Sequence, residues 1–172
     1  MNWIKKAKTA VMALVMVTAF GIVTSYAEAY TYNNTNLGVT MEMAVEPIKS
    51  QASGNAEQML FDNHLIVVQV APQQMTKEEL DEYLKKSDLE VKQQMSAWQK
   101  DMGVRLIDVH WVKDGNNPIL FAEGRNKQHY MVTASVLNDT TVCTVLRLAG
   151  DVITDEERTA FIDTVRSLQF TK

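Results

Sequence analysis

The chain has 172 residues, of which 46% are apolar and 22% are charged, and these values are typical of one globular domain. Its formal net charge of −4 argues against a general nucleic-acid-binding protein, which needs a basic surface. The single cysteine excludes a disulfide framework and any zinc or iron–sulfur site built from several cysteines.

The first 27 residues have the organisation of a secretory signal peptide. Lysines but no acids occur in residues 1–8, and the uncharged apolar stretch 10–23 follows. This stretch is shorter than the roughly 20 residues of a membrane span and has the length of a signal peptide's apolar region. Small residues at Ser25 and Ala27 predict cleavage between Ala27 and Glu28, and a cut after Ala29 is the second candidate. The alternatives are an uncleaved anchor or an apolar helix of the domain.

Cleavage makes the mature chain more acidic. Residues 1–27 contain three lysines and no acid, so their removal takes the formal net charge to −7. An acidic surface disfavours adsorption to nucleic acid and to anionic membranes. We therefore expect an extracytoplasmic protein, secreted or periplasmic, with no nucleic-acid partner and no stable membrane insertion after cleavage.

The first part of the mature chain predicts a leader and a strand. Residues 28–37 are polar and aromatic, and they predict a flexible leader or an edge strand ahead of a single domain over residues 38–172. From Gly38 to Val45, apolar and polar side chains alternate with the period of two of a half-buried strand. Pro47 ends this strand, because proline cannot donate to a sheet ladder.

A loop and a hairpin follow. Residues 49–55 are small and polar and predict a loop. Residues 56–61 (AEQMLF) and 64–70 (HLIVVQV) flank Asp62-Asn63, which has the composition of a two-residue turn. This arrangement predicts a β-hairpin.

A long helix is predicted from Thr76 to Met102. Thr76 and Glu79 form a capping-box pattern at its start, and Gly103 is a natural stop because it accepts the left-handed conformation. A second capping pattern at Ser87 indicates a possible break into two helices. The apolar residues lie three, four or seven apart, on one face: Leu80, Leu84, Val91, Met95, Trp98 and Met102.

The rest of the chain predicts an antiparallel meander and a terminal helix. Four strand-like runs are joined by short, turn-forming connectors, which force antiparallel neighbours: 104–112, 119–124, 129–137 and 140–148. Thr154 and Glu157 form the capping box of the last helix. The predicted fold is α+β, with a twisted antiparallel sheet of six to seven strands packed with one long central helix and a C-terminal helix.

The order of the elements resembles the PsbP-like fold family, named after an extrinsic subunit of photosystem II. The resemblance rests on the GVTMEM strand, on the long helix, and on the tail from TVLRL to Ser167-Leu168-Gln169-Phe170. It covers most of residues 38–170, although family members often place a proline directly after the early strand, where this chain has Ala44-Val45-Glu46. The resemblance implies this architecture and a non-catalytic, partner-binding role, and it supplies no catalytic residue and no cofactor.

Two of the three histidines belong to a candidate metal site. Asp108 and His110 lie two residues apart in a predicted strand, so both side chains point to one face, and His129 lies on the following meander. Carboxylate and imidazole groups are zinc ligands, so the three side chains together would supply three ligands. The alternative is a solvated polar face, which the apolar Ile107, Val109 and Trp111 on the opposite face favour.

The sequence contains few signs of catalysis. It has no Gly-x-Ser-x-Gly, no His-Glu-x-x-His and no glycine-rich phosphate loop. Cys143 lies in an apolar strand without a neighbouring histidine, as a small core residue would. The leading hypothesis is therefore a soluble exported domain that binds or scaffolds a protein partner without catalysis. The second hypothesis is a metal- or small-ligand-binding protein that uses Asp108, His110 and His129, and the third is a small extracytoplasmic hydrolase.

Overall fold

The structure is a computed structural model that describes residues 29–101 and 103–171, without the side chains of residues 97–101. The predicted signal peptide over residues 1–27, the Ala27–Glu28 bond, Met102 and the Trp98 side chain lie outside this description. The described ranges form ten strands: β1 Tyr30–Asn34, β2 Val39–Met43, β3 Lys49–Ser53, β4 Ala56–Leu60, β5 His64–Pro72, β6 Arg105–Val112, β7 Ile119–Arg125, β8 Tyr130–Leu137, β9 Thr141–Ala149 and β10 Gln169–Phe170. They also form three helices: α1 Lys77–Lys85, α2 Asp88–Asp101 and α3 Asp155–Arg166.

Seven strands of the described residues form one antiparallel sheet in the order β3-β4-β5-β9-β8-β7-β6. This sheet confirms the predicted fold class, and the meander from β6 to β9 has the neighbours that its short connectors predicted. The loop predicted over residues 49–55 is wrong, because Lys49–Ser53 form β3 and pair with β4. All five residues of β3 are exposed, so its sequence has no alternation of apolar and polar residues. Gly54, with φ of +59°, makes the tight turn between these two strands.

A second, three-stranded sheet in the order β1-β2-β10 was not predicted. Its first strand comes from the polar segment at residues 28–37, and its last strand is the two-residue tail after α3. Hydrogen bonds fasten it to the large sheet: Tyr32 Oη donates to Glu57 Oε2 at 2.7 Å, and Asn34 Nδ2 donates to the same oxygen at 2.5 Å. The second sheet therefore packs on the first as part of one body.

The long predicted helix is divided into α1 and α2 at Ser87, where the second capping pattern lies. The Ser87 backbone N–H donates to Glu90 Oε2 at 2.8 Å, and the Glu90 N–H donates to Ser87 Oγ at 3.4 Å. The capping boxes predicted at Thr76 and Thr154 are confirmed as the starts of α1 and α3. Gly103 follows α2 with φ of +69°, the left-handed conformation that favours glycine.

The helices cover opposite faces of the large sheet. Because successive side chains of a strand point to opposite faces, Leu120 and Ala122 of β7 pack against α1 and α2, whereas Phe121 packs against α3. We call these two sides the α2 face and the α3 face. The small sheet also lies on the α3 face, where Val39 and Met41 are buried in the same core as Val132 and Val145. Both faces of β7 are therefore buried.

Candidate functional site

Two charged residues of the large sheet are buried on its α3 face. Glu123 of β7 is 2% exposed and Arg147 of β9 is 5% exposed. Val132 of β8 pairs with both residues, so they lie in one row across three strands with their side chains on the same side. A buried charge is costly unless it is paired, so their partners decide how this region is held.

Glu123 is paired with the first turns of α3. Its carboxylate accepts hydrogen bonds from Arg158 Nε and from Tyr130 Oη, and Arg158 Nη2 donates to Oε2 at 3.2 Å. Burial and the neighbouring Glu123 carboxylate raise the pKa of Tyr130 to about 12, so its hydroxyl is a donor at neutral pH. Glu123 also raises the pKa of Arg158 further above its ordinary value. The arrangement is a charge-assisted network that fixes α3 over the sheet.

Arg147 forms the reciprocal pair. Its Nη2 donates to Oε1 of Glu157 at 2.9 Å, and Glu157 Oε2 accepts the backbone N–H of Thr154 at 2.9 Å. The bond from the Thr154 backbone and the charge of Arg147 hold the pKa of Glu157 below its ordinary value. The sheet thus contributes a carboxylate, Glu123, to one ion pair and a guanidinium, Arg147, to the other. The adjacent α3 residues Arg158 and Glu157 supply the opposite charges.

A cavity of about 150 Å³ lies beside the second pair. Its polar wall contains His64, Arg147, Glu157 and Thr164. Its apolar wall is larger and is made by Met43, Val45, Phe61, Ile66, Ala160 and Phe161. Arg147 Nη1 is buried and has no hydrogen-bond partner, so the guanidinium uses only part of its donor capacity. Because Nη1 has almost no accessible surface, this donor does not face the open space, and the cavity is a mainly apolar pocket beside an ion pair.

His64 contributes a neutral ring to this wall. It stacks on Phe61 with ring centroids 4.7 Å apart and an interplanar angle of 4°. Burial and the positive charge of Arg147 lower the pKa of His64 below the usual 6.5. At neutral pH the imidazole is therefore uncharged, and the positive charge of the cavity wall comes from Arg147.

The structure brings together two of the three predicted metal-site residues. His110 Nδ1 and Asp108 Oδ2 are 2.8 Å apart on the edge strand β6. His129 lies in the β7–β8 turn, where its backbone N–H donates to Asn126 Oδ1 at 2.8 Å. Since His110 pairs with Phe121 and the turn begins after Arg125, His129 is roughly 15 Å further along the sheet. In residues 29–101 and 103–171, no group of three His, Cys, Asp or Glu side chains is arranged to hold a metal ion.

The surroundings of Asp108 and His110 differ from the solvated face of the alternative hypothesis. Both side chains lie on the α3 face and are half-buried, and the His110 ring contacts the buried Phe121 at 4.8 Å between centroids. Val109 and Trp111 pack on the α2 face, as the alternation predicted. Ile107 is 42% exposed, because a register shift between Leu106 and Asp108 displaces it from the regular pairing.

An apolar surface lies on the α2 face of the large sheet, away from α1 and α2. Strands β4, β5, β8 and β9 carry side chains there that are half-buried or exposed and that belong to neither core cluster of the described residues. We call this surface the open face; it consists of Leu60, Leu65, Val67, Met131, Leu146 and Leu148. Its residues pair across neighbouring strands in two rows, so the surface is continuous. One row runs Leu60, Leu65, Leu148, Met131, and the other pairs Val67 with Leu146.

Sequence reasoning missed the cavity and the open face. Glu123 and Arg147 each occupy a position where the alternation of their strand places a buried apolar residue. A single charged residue at such a position was the sequence feature that could have predicted the buried ion pairs. The open face was hidden because its residues alternate like core residues. Which of them a helix covers depends on where the helices pack, and this is not encoded in any one strand.

The fold is similar to that of solved structures. The solution structure of cyanobacterial PsbP (CyanoP) from Synechocystis sp. PCC 6803 superposes with a TM-score of 0.56, at 14% sequence identity, over 86% of this chain and 95% of that chain. The chain has a PsbP-like fold. The sequence resemblance at residues 38–170 is thereby confirmed as a likeness of fold.

Other comparisons add no function to the PsbP-like fold. A crystal structure from Bacteroides thetaiotaomicron VPI-5482 superposes with a TM-score of 0.48 at 8% identity, over 84% of this chain and 49% of that chain. No family model and no curated protein matches the sequence. Within the described residues, no helix has the length and apolar character needed to cross a membrane.

Proposed function

We propose that this chain is an exported, non-catalytic domain that binds or scaffolds a protein partner outside the cytoplasm. The signal peptide predicted over residues 1–27 supports export. The PsbP-like fold supports a binding role, because the resemblance implies partner binding without a shared reaction. The open face carries the proposal further, because it is a continuous apolar surface of the described residues that a partner could cover.

The open face has the chemistry of a binding surface. Contiguous exposed apolar patches on single domains mark interaction sites. The open face places one exposed and five half-buried apolar side chains on four adjacent strands, so it presents a surface of this kind in part. Leu60 is 46% exposed, and the other five are half-buried. Full burial of a leucine side chain is worth about 1.5–3 kcal/mol, so a partner that covers several of these residues gains a substantial part of a stable association.

Export is tested by mass spectrometry of the extracytoplasmic fraction. We expect a mature protein that begins at Glu28, or at Tyr30 if the later cut is used. A protein that retains Met1 in the cytoplasmic fraction would contradict the proposed location.

Partner binding is tested by site-specific photo-crosslinking in intact cells. A photoreactive amino acid replaces Leu60 on the open face, and the matched control replaces Leu89, which is 64% exposed on α2. We expect a discrete protein adduct from position 60 and none from position 89. Adding Leu65→Glu to the first variant puts a charge in the middle of the surface and is expected to abolish the adduct. Adducts that are equal at both positions, or that survive Leu65→Glu, would contradict the proposal.

A further inference from the structure

The two edges of the large sheet differ in how their outer backbone groups are used. On β6, the Trp111 backbone N–H donates to Asp88 Oδ1 at 2.9 Å. The Ile107 carbonyl accepts a bond from Lys92 Nζ at 2.6 Å, so side chains of α2 occupy this edge at two points. A register shift within β6 adds to the protection. Coverage and bulges of this kind keep an edge strand from pairing with another chain.

The opposite edge strand, β3, is regular and exposed. Among the described strands it pairs with β4 alone, in an unbroken register of five residues. All five residues are exposed, the strand contains no proline, and its charged residue, Lys49, lies at its first position. An edge strand presents a row of backbone N–H and C=O groups on the side away from its neighbour. Strand β3 is therefore the edge of this sheet that is suited to accept another strand.

Exposed apolar side chains lie beside the start of β3. Ile48 is 66% exposed, and its backbone N–H donates to the Leu60 carbonyl at 2.8 Å. Leu60 pairs with Lys49, is 46% exposed and is the open-face residue on the strand next to β3. A strand added to β3 brings its own side chains beside these two, so apolar burial adds to the new hydrogen bonds.

The sequence of β3 is complementary to a second copy of itself. In antiparallel pairing about Gln51, Lys49 of one copy lies opposite Ser53 of the other, and Ser50 lies opposite Ala52. No like charges meet in this register, and the two Gln51 side chains, each a donor and an acceptor, face one another. Two-fold dimers with self-complementary interfaces are the commonest oligomers of soluble proteins. We propose that this chain forms a two-fold dimer in which the β3 strands of two copies pair antiparallel about Gln51.

The dimer enlarges the surface that the chain offers to a protein partner. An antiparallel pair of strands is related by a two-fold axis perpendicular to the sheet, so both copies keep the same face on the same side. The two large sheets become one, and their open faces form one surface with the β3 strands at its centre. The inference goes beyond the proposed partner binding and does not depend on it.

The dimer is expected to be weak. A contact of one short strand per copy lies below the roughly 1,200 Å² of a standard interface, and we expect a Kd of about 0.1 mM. The mature chains each carry a formal net charge of −7. Their repulsion is largely screened at an ionic strength of about 0.15 M, where the Debye length is about 8 Å.

Sedimentation equilibrium of the protein purified from the extracytoplasmic fraction measures this association, at concentrations from about 10 µM to 1 mM. Gln51→Lys and Gln51→Glu each place like charges about 5 Å apart across the axis and are expected to weaken self-association about fivefold. Mixing the two variants is expected to restore it, because opposite charges then meet. Gln51 is exposed, so neither change disturbs a buried contact. The control is Gln58→Lys on the neighbouring strand, which lies roughly 14 Å from its copy and is expected to have no effect.

Disulfide formation tests the register. Gln51→Cys is expected to link two copies under mild oxidation, because directly opposed Cα atoms lie about 4.5–5.5 Å apart, within the range of a disulfide. Ser53→Cys is not expected to link to its own copy, which lies roughly 13 Å further along the strand, but is expected to link to Lys49→Cys in a mixture. The native Cys143 has no exposed surface and does not compete.

Three results would overturn the proposal. The first is a monomer at all concentrations up to about 1 mM, tenfold above the expected Kd. The second is unchanged self-association in both charge variants of Gln51. The third is an equal yield of disulfide dimer from Gln51→Cys and Ser53→Cys, which would indicate random collision. The photo-crosslinked adduct expected at Leu60 contains a different protein, so partner binding and self-association are refuted separately.

Discussion

The buried carboxylate of Glu123 gives the sharpest test of how α3 is held. Replacing it by glutamine keeps the size of the side chain and removes its charge. The new amide has one acceptor oxygen in place of two, and its NH₂ group faces donors from Arg158 and Tyr130. Among the described residues, Arg158 then retains only Asp155 as a charged partner, and the Asp155 side chain is 96% exposed.

The cost follows from the burial of the two partners. Breaking a fully buried ion pair by removing one member costs about 3–5 kcal/mol. Glu123 is 2% exposed, but the Arg158 side chain is 28% exposed and is partly rehydrated when its partner is lost. We therefore expect Glu123→Gln to lower the free energy of unfolding by about 2–3 kcal/mol, a loss of roughly 30- to 150-fold in the ratio of folded to unfolded protein.

Urea unfolding followed by circular dichroism at pH 7 measures this loss. Asp155→Asn is the control, because it removes the exposed partner of the same arginine and is expected to cost less than about 1 kcal/mol. The double variant Glu123→Leu with Arg158→Leu is expected to be more stable than Glu123→Gln, because no unpaired buried charge remains. If Glu123→Gln costs no more than Asp155→Asn, the network does not hold α3 and the reasoning fails.

Three further predictions concern other buried groups. Burial raises the pKa of the Cys143 thiol to about 12, so a thiol reagent at pH 8 is expected to modify the native protein roughly a thousandfold more slowly than the urea-unfolded protein; comparable rates would show that β9 is open. Because burial and Arg147 lower the pKa of His64 in the folded state, the unfolded state binds more protons below pH 6.5. Stability is therefore expected to fall as the pH drops below 6.5, and His64→Gln to flatten that part of the unfolding profile; identical slopes would refute the assignment. Tyr32→Phe removes a hydrogen bond to the Glu57 carboxylate and is expected to cost about 2 kcal/mol in urea unfolding, whereas the control Tyr30→Phe on the same strand costs much less.

The sequence was sufficient for elements whose signals are local. Capping boxes at Thr76 and Thr154 are formed by side chains three residues apart, so the starts of α1 and α3 were legible before any tertiary structure was known. The break at Ser87 and the stop at Gly103 belong to the same class of signal. The meander was legible because short connectors leave neighbouring strands no alternative to antiparallel pairing.

The elements that were missed depend on partners distant in sequence. β10 has only two residues and exists because Gln169 and Phe170 meet Thr40 and Val39 of β2. β3 has no buried residue and exists because β4 offers it an edge. Neither strand has a periodicity that a reading of the chain alone could detect, so the second sheet and the edge of the first had to come from tertiary structure.

The predicted site illustrates the same distinction. The spacing of Asp108 and His110 placed both side chains on one face, and their hydrogen bond shows that they are neighbours. The addition of His129 required a judgement about register. The pairing of Arg125 with Tyr130 places His129 in the turn beyond the end of the ladder, far from the middle of β6. The local spacing therefore predicted the neighbouring pair Asp108 and His110. The position of His129 depends on strand pairing, which the spacing does not give.

The two ion pairs and the cavity are connected through neighbouring residues of α3. Glu157 belongs to the pair with Arg147 and also lines the cavity, and the next residue, Arg158, belongs to the pair with Glu123. Replacing buried ion pairs by apolar residues often leaves stability unchanged, so stability alone does not account for two of them with opposite polarity. What they add is position, because sliding α3 by one turn, about 5.4 Å, would break both pairs at once. Helix α3 also lines the cavity, with Ala160, Phe161 and Thr164. The position of this cavity wall is therefore set by the same two ion pairs.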